Sequence, residues 1–286
     1  MGFFKYPKLV TPDMPPRTHD MRKQKGWKGI VTPDIRIWRI GPHPGKMGER
    51  HVLMPGKMVE AETYPPIIGY AGTVPRMSTR SILARHGVEV GFGQHQMDKL
   101  LSGELPTRVT LLHFGQIPVR LRRGNRIHRV YYPHITDTLR KEEVHARMKR
   151  GELQLGNDFK ILPNGFLELH VQPVFYRVNP KDIPAIARKN WVSGSKRAAF
   201  MEHFQRVRAP VRVPEGTIIL SETKPVRLPK DVGMMLESST DGGSRHIHSL
   251  FIDPGFTGPI VLEIQGFEGG KPPDRILARL VKLPSK

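Results

Sequence analysis

Proline and glycine punctuate this chain so densely that its elements must be short. There are 27 prolines and 28 glycines among 286 residues, against a hydrophobic content of 38% that supports a real core. Between the breaks, apolar residues recur at the period of a strand. "DIRIWRI" alternates Ile35, Ile37 and Ile40 with Arg36 and Arg39, with one slip in the alternation. "HVLMPGKMVEAETY", "IIGYAGTV", "TRVTLLHF" and "IPVRLRRGNRIHRVYY" follow in the same style, the last with a tight turn expected at Gly124-Asn125. Two stretches read otherwise. Residues 136–150 have the pattern of an amphipathic helix, with Val144 and Met148 four apart, and a helical patch at about 181–207 is interrupted at Ser193-Gly194. No apolar run reaches the length of a membrane span, and the N-terminal stretch is too short and proline-broken for a signal peptide.

Charge narrows the partners. The formal net charge is +20, and a field of that sign attracts polyanions, whether nucleic acid or nucleoside triphosphates. Residues 1–30 read as a basic arm, in which "MRKQKGWKG" either tracks a phosphate backbone with Trp27 stacking on a base or packs on a partner subunit. Arg120, Arg122, Arg123, Arg126 and Arg129 form either an anion-binding stripe or a solvated hairpin face. The absence of cysteine excludes disulfides and thiolate metal sites, including that of the zinc nucleobase deaminases, and fits an intracellular, cytoplasmic protein. His246 and His248 alternate on a possible strand, but no third ligand is placed, so no transition-metal site is expected.

The chain also repeats itself. "LMPGKMVEAETYPP" resembles "RVPEGTIILSETKPV", placing Glu62-Thr63 and Glu222-Thr223 160 residues apart. Units of many short strands suggest compact all-β barrels or sandwiches, one at 31–135 and one at 136–286.

Several segments resemble the dCTP deaminase and dUTPase superfamily in its deaminase form. "IDPGFTGPIVLE" (Ile252–Glu263) looks like its signature, and "STRSILARHGV" (Ser78–Val88) like its phosphate-binding motif. "FGQIPVRLRRGNRIHRVYY" is similar to the pair of strands that follows, and "EEVHARMKRGELQL" with "VQPVFYRV" to the start of a protomer. The resemblance implies a mainly β fold of tandem dUTPase-like (β-clip) barrels with a few short helices, assembling as a homo-oligomer with threefold barrel packing. It implies that Glu263 is the acid/base of a pyrimidine deoxynucleotide hydrolase, deaminating dCTP to dUTP without a transition metal. A carboxylate can shuttle protons between water and the ring if partial burial raises its pKa toward working pH. On the residues alone, Glu263 sits equally well on the solvent face of an edge strand, paired with Arg275 or Arg279.

By the same resemblance Arg80, Ser81 and Arg85 grip a triphosphate, which Mg2+ could accompany. Asp253 holds the sugar hydroxyl, Gly255 lets backbone approach the nucleoside, and Val261, Ser238 and Ser239 complete the substrate-binding set. Alternatively, "STRSILARHGV" is a basic turn that buries Ile82, Leu83 and Val88. The two copies differ from the pattern in complementary ways. The first keeps the phosphate motif but has Thr110 about where the glutamate belongs; the second keeps Asp253 and Glu263 but has "LESSTDGGSRHIHS" for the phosphate motif. Either the halves complete one site between them, or both left catalysis for a basic nucleic-acid-binding or assembly role.

Overall fold

A computed structural model describes residues 34–64, 76–91, 108–131, 138–189, 191–192, 197–207, 217–237, 245–248, 251–266 and 271–282. The basic arm, the "IIGYAGTV" segment, Ser238 and Ser239 lie outside the described residues.

The N-terminal part contributes β1 (Ile35–Gly41), β2 (Arg50–Leu53), β3 (Met58–Tyr64) and β4 (Arg76–Thr79). A single helical turn, α1 (Ser81–Ala84), then precedes β5 (Val88–Gly91), β6 (Arg108–His113), β7 (Val119–Arg122) and β8 (Arg126–Tyr131). Six of these strands make one antiparallel sheet in the order β4-β8-β1-β3-β6-β5, whose two edges contact each other, so the sheet nearly closes on itself. Its interior holds Ile35, Ile37 and Ile40 with Ala61, Val109 and Leu111, all at most 1% exposed. The slip in the "DIRIWRI" alternation is a bulge: the pairing of β1 with β3 shifts register between Ile37 and Arg39, which returns Ile40 to the core face. Gly124 takes φ +85° at the turn joining β7 to β8, and Asn125 Oδ1 accepts from the Arg122 amide. The two strands then leave for different sheets, β7 pairing with β2 and β8 with β1 and β4.

The C-terminal part opens with α2 (Lys141–Lys149), shorter than the 136–150 expected because Leu139 is held by Leu280 in a backbone hydrogen bond and Thr138 bridges Val281. Next come β9 (Phe159–Ile161), β10 (Leu167–His170) and β11 (Phe175–Val178). The segment expected to be helical holds α3 (Ile183–Ala187), α4 (Arg197–Met201) and a strand, β12 (Phe204–Val207). The remaining strands are β13 (Ile218–Glu222), β14 (Val226–Arg227), β15 (Val232–Leu236), β16 (Arg245–His248), β17 (Phe251–Ile252), β18 (Thr257–Gly258), β19 (Val261–Gly266) and β20 (Arg275–Lys282). They form two five-stranded sheets, β17-β15-β20-β10-β9 and β12-β11-β13-β19-β16, around one shared core.

The strand order recurs. Reading β10 and β11 as one broken strand, β15-β20-β10/β11-β13-β19-β16 has the order of β4-β8-β1-β3-β6-β5. Register agrees too: Glu60 on β3 faces Thr110 on β6, and Leu220 on β13 faces Glu263 on β19.

Candidate functional site at the seam between the two parts

Glu263 occupies the middle of β19, between Leu220 on β13 and His248 on β16. Leu262 and Ile264 point into the core of the C-terminal part, so the alternation of a strand sends Glu263 and Gln265 to the opposite face. That face is not solvent. Glu263 is 0% exposed and Gln265 1%, and Arg85 of the N-terminal part, itself in contact with Met201 of α4, lies on Glu263. The edge-strand alternative for Glu263 therefore fails: β19 is interior, Arg275 pairs with Glu168 at 2.6 Å, and Arg279 with Glu237 at 2.9 Å.

The cation at this carboxylate comes from the other part. Arg80 is the extended residue before α1, and Arg85 ends the turn, its amide bonded to the Ser81 carbonyl. Leu83 and Ala84 bury completely and fix the turn in the barrel, which aims Arg85 across the seam. Its Nε donates to Glu263 Oε1 at 3.3 Å and its Nη1 to Met201 Sδ at 2.9 Å. Arg85 is itself only 3% exposed. Leu83 and Val88 are buried and Ile82 partly so, meaning that the core role and the cation role of this motif coexist.

The next residues explain why the loop must pass so close. Gly87 adopts φ +77°, and a side chain there would sit 2.6 Å from the Gly115 backbone; one on Gly115 would strike the His86 carbonyl. Only glycine fits either place. His86 stacks on Phe200 of α4, ring centroids 4.2 Å apart and nearly parallel, while its Nδ1 donates to the Ile82 carbonyl. Burial lowers its pKa to about 4, so the ring is neutral.

A second ion chain crosses the seam nearer solvent. Asp34 accepts from Arg80 (3.2 Å), Arg126 (3.2 Å) and Arg129 (2.8 Å). Arg129 also reaches both oxygens of Asp253 at 2.8 Å. Asp253 opens a turn closed by a hydrogen bond from the Phe256 amide to its carbonyl, with Pro254 second and Gly255 third at φ +73°. This is the arrangement of a type II turn, which demands glycine there. Ser81 lies partly exposed in the first turn of α1, and Val261 starts β19 opposite Glu222.

The structure brings Arg85 to Glu263 and, through Asp34 and Arg129, links Arg80 to Asp253; Ser81 and Gly255 are their chain neighbours, with no contact of their own across the seam among the described residues. Sequence reasoning missed Asp34, which gathers Arg80, Arg126 and Arg129, and Phe200 and Met201, which pack on His86 and Arg85. Asp34 opens the "DIRIWRI" strand and carried a local signal; nothing local marks Met201, whose contact spans 116 residues. Among the described residues, no group of histidine, aspartate and glutamate is arranged to hold a metal ion, and no helix is long and apolar enough to cross a membrane.

No family model matches the chain, and no curated protein does. Among solved structures it is similar to that of 2'-deoxycytidine 5'-triphosphate deaminase from Agrobacterium tumefaciens, with a TM-score of 0.58 over 88% of this chain and 85% of that one. The fold is of the dCTP deaminase and dUTPase type. At 15% identity the likeness speaks for the fold and not for the chemistry.

Proposed function

We propose that this chain is a tandemly duplicated pyrimidine deoxynucleotide hydrolase whose two halves complete one site, and that its reaction is deamination of dCTP to dUTP. The observation that carries this reading is the Arg85–Glu263 contact: the group missing from each half is supplied by the other. The recurring strand order supports the duplication, with domains at 31–135 and 136–286. In the reaction, Glu263 takes a proton from water as the oxygen bonds to C4 of cytosine and delivers it to N3; it then takes the proton of the new C4 hydroxyl and passes it to the amine as the C4–N bond breaks, so that dCTP and water give dUTP and ammonia. Arg85 orients the carboxylate. Arg80 and Ser81 hold phosphate oxygens, Asp253 the sugar hydroxyl, and Ser238, Ser239, Gly255 and Val261 the remainder of the nucleotide.

Asp34, Asp253 and Glu263 are each engaged by arginine, so a Mg2+ ion accompanying the substrate would ride on phosphate and water oxygens. With Arg85 and Glu263 buried, substrate entry requires α4 to lift from the seam. The enzyme works in the cytoplasm as a homo-oligomer.

The burial of that pair favours a second reading, in which duplication left a non-catalytic assembly protein and the ion pair is a structural staple. Incubation with dCTP, following ammonia, separates the two. Ammonia release that vanishes in Glu263→Gln supports the enzyme; turnover of neither dCTP nor dUTP by a folded chain leaves the scaffold.

A further inference from the structure

We infer that the β2–β7 ribbon is a binding surface for single-stranded nucleic acid, separate from the seam. Pairing sets Arg50 directly opposite Arg122, and Val52 opposite Arg120, so three arginines share the outward face of two short strands. Like charges facing each other across a ladder destabilise it. Here the repulsion has no internal remedy: among the described residues, no carboxylate contacts Arg50 or Arg122, and the nearby Glu49 is taken by Arg123 at 2.9 Å. Arg50, Arg120 and Arg122 are all exposed; Arg120 donates from Nε to the Ala187 carbonyl at 2.9 Å, which leaves its other guanidinium N–H groups for an anion. With His51, Val52 and Leu121 they line an open hollow of about 500 Å3.

An anion seated on the ribbon removes the repulsion, and the spacing says what kind. Arg120 and Arg122, two residues apart on a strand, lie about 6.7 Å apart along it. That is comparable to the separation of neighbouring phosphates along one nucleic-acid strand, so each arginine can meet its own phosphate. Beside them, the Arg123 guanidinium lies 3.4 Å over the centroid of Trp38. Arg123 is exposed, and its second flat face is a stacking platform of the kind that unpaired bases use. A basic track with an adjoining platform selects a single strand over a duplex, whose bases are already stacked. A net charge of +20 far exceeds what one bound triphosphate calls for.

The test uses the full chain and a labelled single-stranded oligonucleotide of about 16 nucleotides, the upper end of common site sizes. Binding is measured against salt for the wild type, for Arg50→Gln/Arg122→Gln and for Arg123→Gln. The double variant should bind at least about tenfold more weakly, and its salt slope should fall by about 0.7 for each phosphate that is no longer neutralised. Arg123→Gln should weaken binding with a smaller change in slope. Unchanged binding in both variants would overturn the proposal, which would leave the affinity to the basic arm. So would a duplex of equal length, or phosphatidylserine vesicles, outcompeting the single strand through the same arginines. All three residues are exposed, so a wild-type melting temperature checks the fold. Glu263→Gln should bind the oligonucleotide normally, which keeps this outcome independent of the enzyme reading.

Discussion

Thr110 and Glu263 hold the same place in corresponding strands, and they have opposite fates. Each lies on the fifth strand of the shared order, facing Glu60 or Leu220 on one side and Gly91 or His248 on the other. Inward neighbours Val109 and Leu111 match Leu262 and Ile264. The difference lies outside. The face of β6 bearing Thr110 is partly open, whereas the face of β19 bearing Glu263 is roofed by α1, Arg85 and α4. A threonine suits a partly wet surface without help. A carboxylate under a roof needs a partner, because its unpaired burial costs far more than a paired one. The architecture therefore holds one buried, cation-backed carboxylate where two equivalent strands offered two places.

That contrast is most sharply tested by removing the cation alone. Arg85→Met strands Glu263 in a dry site and should lower unfolding free energy by about 3–5 kcal/mol, read from urea denaturation. Arg85→Met/Glu263→Leu should recover most of the loss. A fully stable single variant would mean that the seam opens to water and that burial is not what distinguishes β19 from β6.

The roof itself comes next. Phe200 is 0% exposed and packs with Trp191, Ile117 and Ile186, besides stacking on His86. Phe200→Ala should cost about 3–5 kcal/mol. Because Phe200 belongs to the segment from α3 to β12 while Ile117 and His86 belong to the first barrel, hydrogen exchange should rise on both sides of the seam. A rise confined to α4 would show that the segment packs on the seam without binding the parts together.

Much of this arrangement was legible in the sequence. The "DIRIWRI" slip, the Gly124 turn, α2 and the register of Thr110 against Glu263 are all local matters of period and turn chemistry, and such signals survive in a short window. The seam was legible only as two incomplete motifs. Neither Asp34 nor Met201 could be assigned, because their contacts join residues 46 to 95 apart or 116 apart, and no periodicity encodes which surfaces meet. Burial of Glu263 was also beyond reach, since "IVLEI" reads alike on an edge strand and under a roof.

Acid should divide the two parts. Among the described residues, the buried histidines, His86, His113 and His128, all belong to the first barrel. Burial lowers His86 to about 4 and His128 to about 3, the latter although the Asp34 charge pulls the other way; burial lowers His113 as well. Above pH about 6.5 these rings are neutral folded or unfolded and contribute no pH dependence. Below it the unfolded chain takes up protons that the folded chain refuses, so stability falls as pH drops from 6.5 toward 4. The slope is about 1.4 kcal/mol per pH unit for each histidine. Strands β4, β6 and β8 should lose exchange protection before β13 and β19. Among the described residues neither ring nitrogen of His128 has a hydrogen-bond partner, so His128→Leu should flatten the slope by one proton.

A smaller effect is expected at the solvent side of the seam. Arg129 joins Asp34 to Asp253, but Asp253 is half exposed, and water weakens such pairs. Arg129→Gln should cost about 1 kcal/mol or less, and salt should shrink the difference.

The least disruptive change falls on Thr110. Its face is partly open, its strand is held by ladder bonds on both sides, and across the ladder it meets Glu60 and Gly91, not a cation. Thr110→Val should shift stability by no more than about 0.5 kcal/mol, as surface changes generally do. Glu263→Val, at the matching place, removes the partner of a buried guanidinium and should cost several times as much. If Thr110→Val proved as damaging as Glu263→Val, the first barrel would also be roofed in solution, by a surface that a single chain does not possess. The contrast between the two strands would then belong to the isolated chain and not to its assembly.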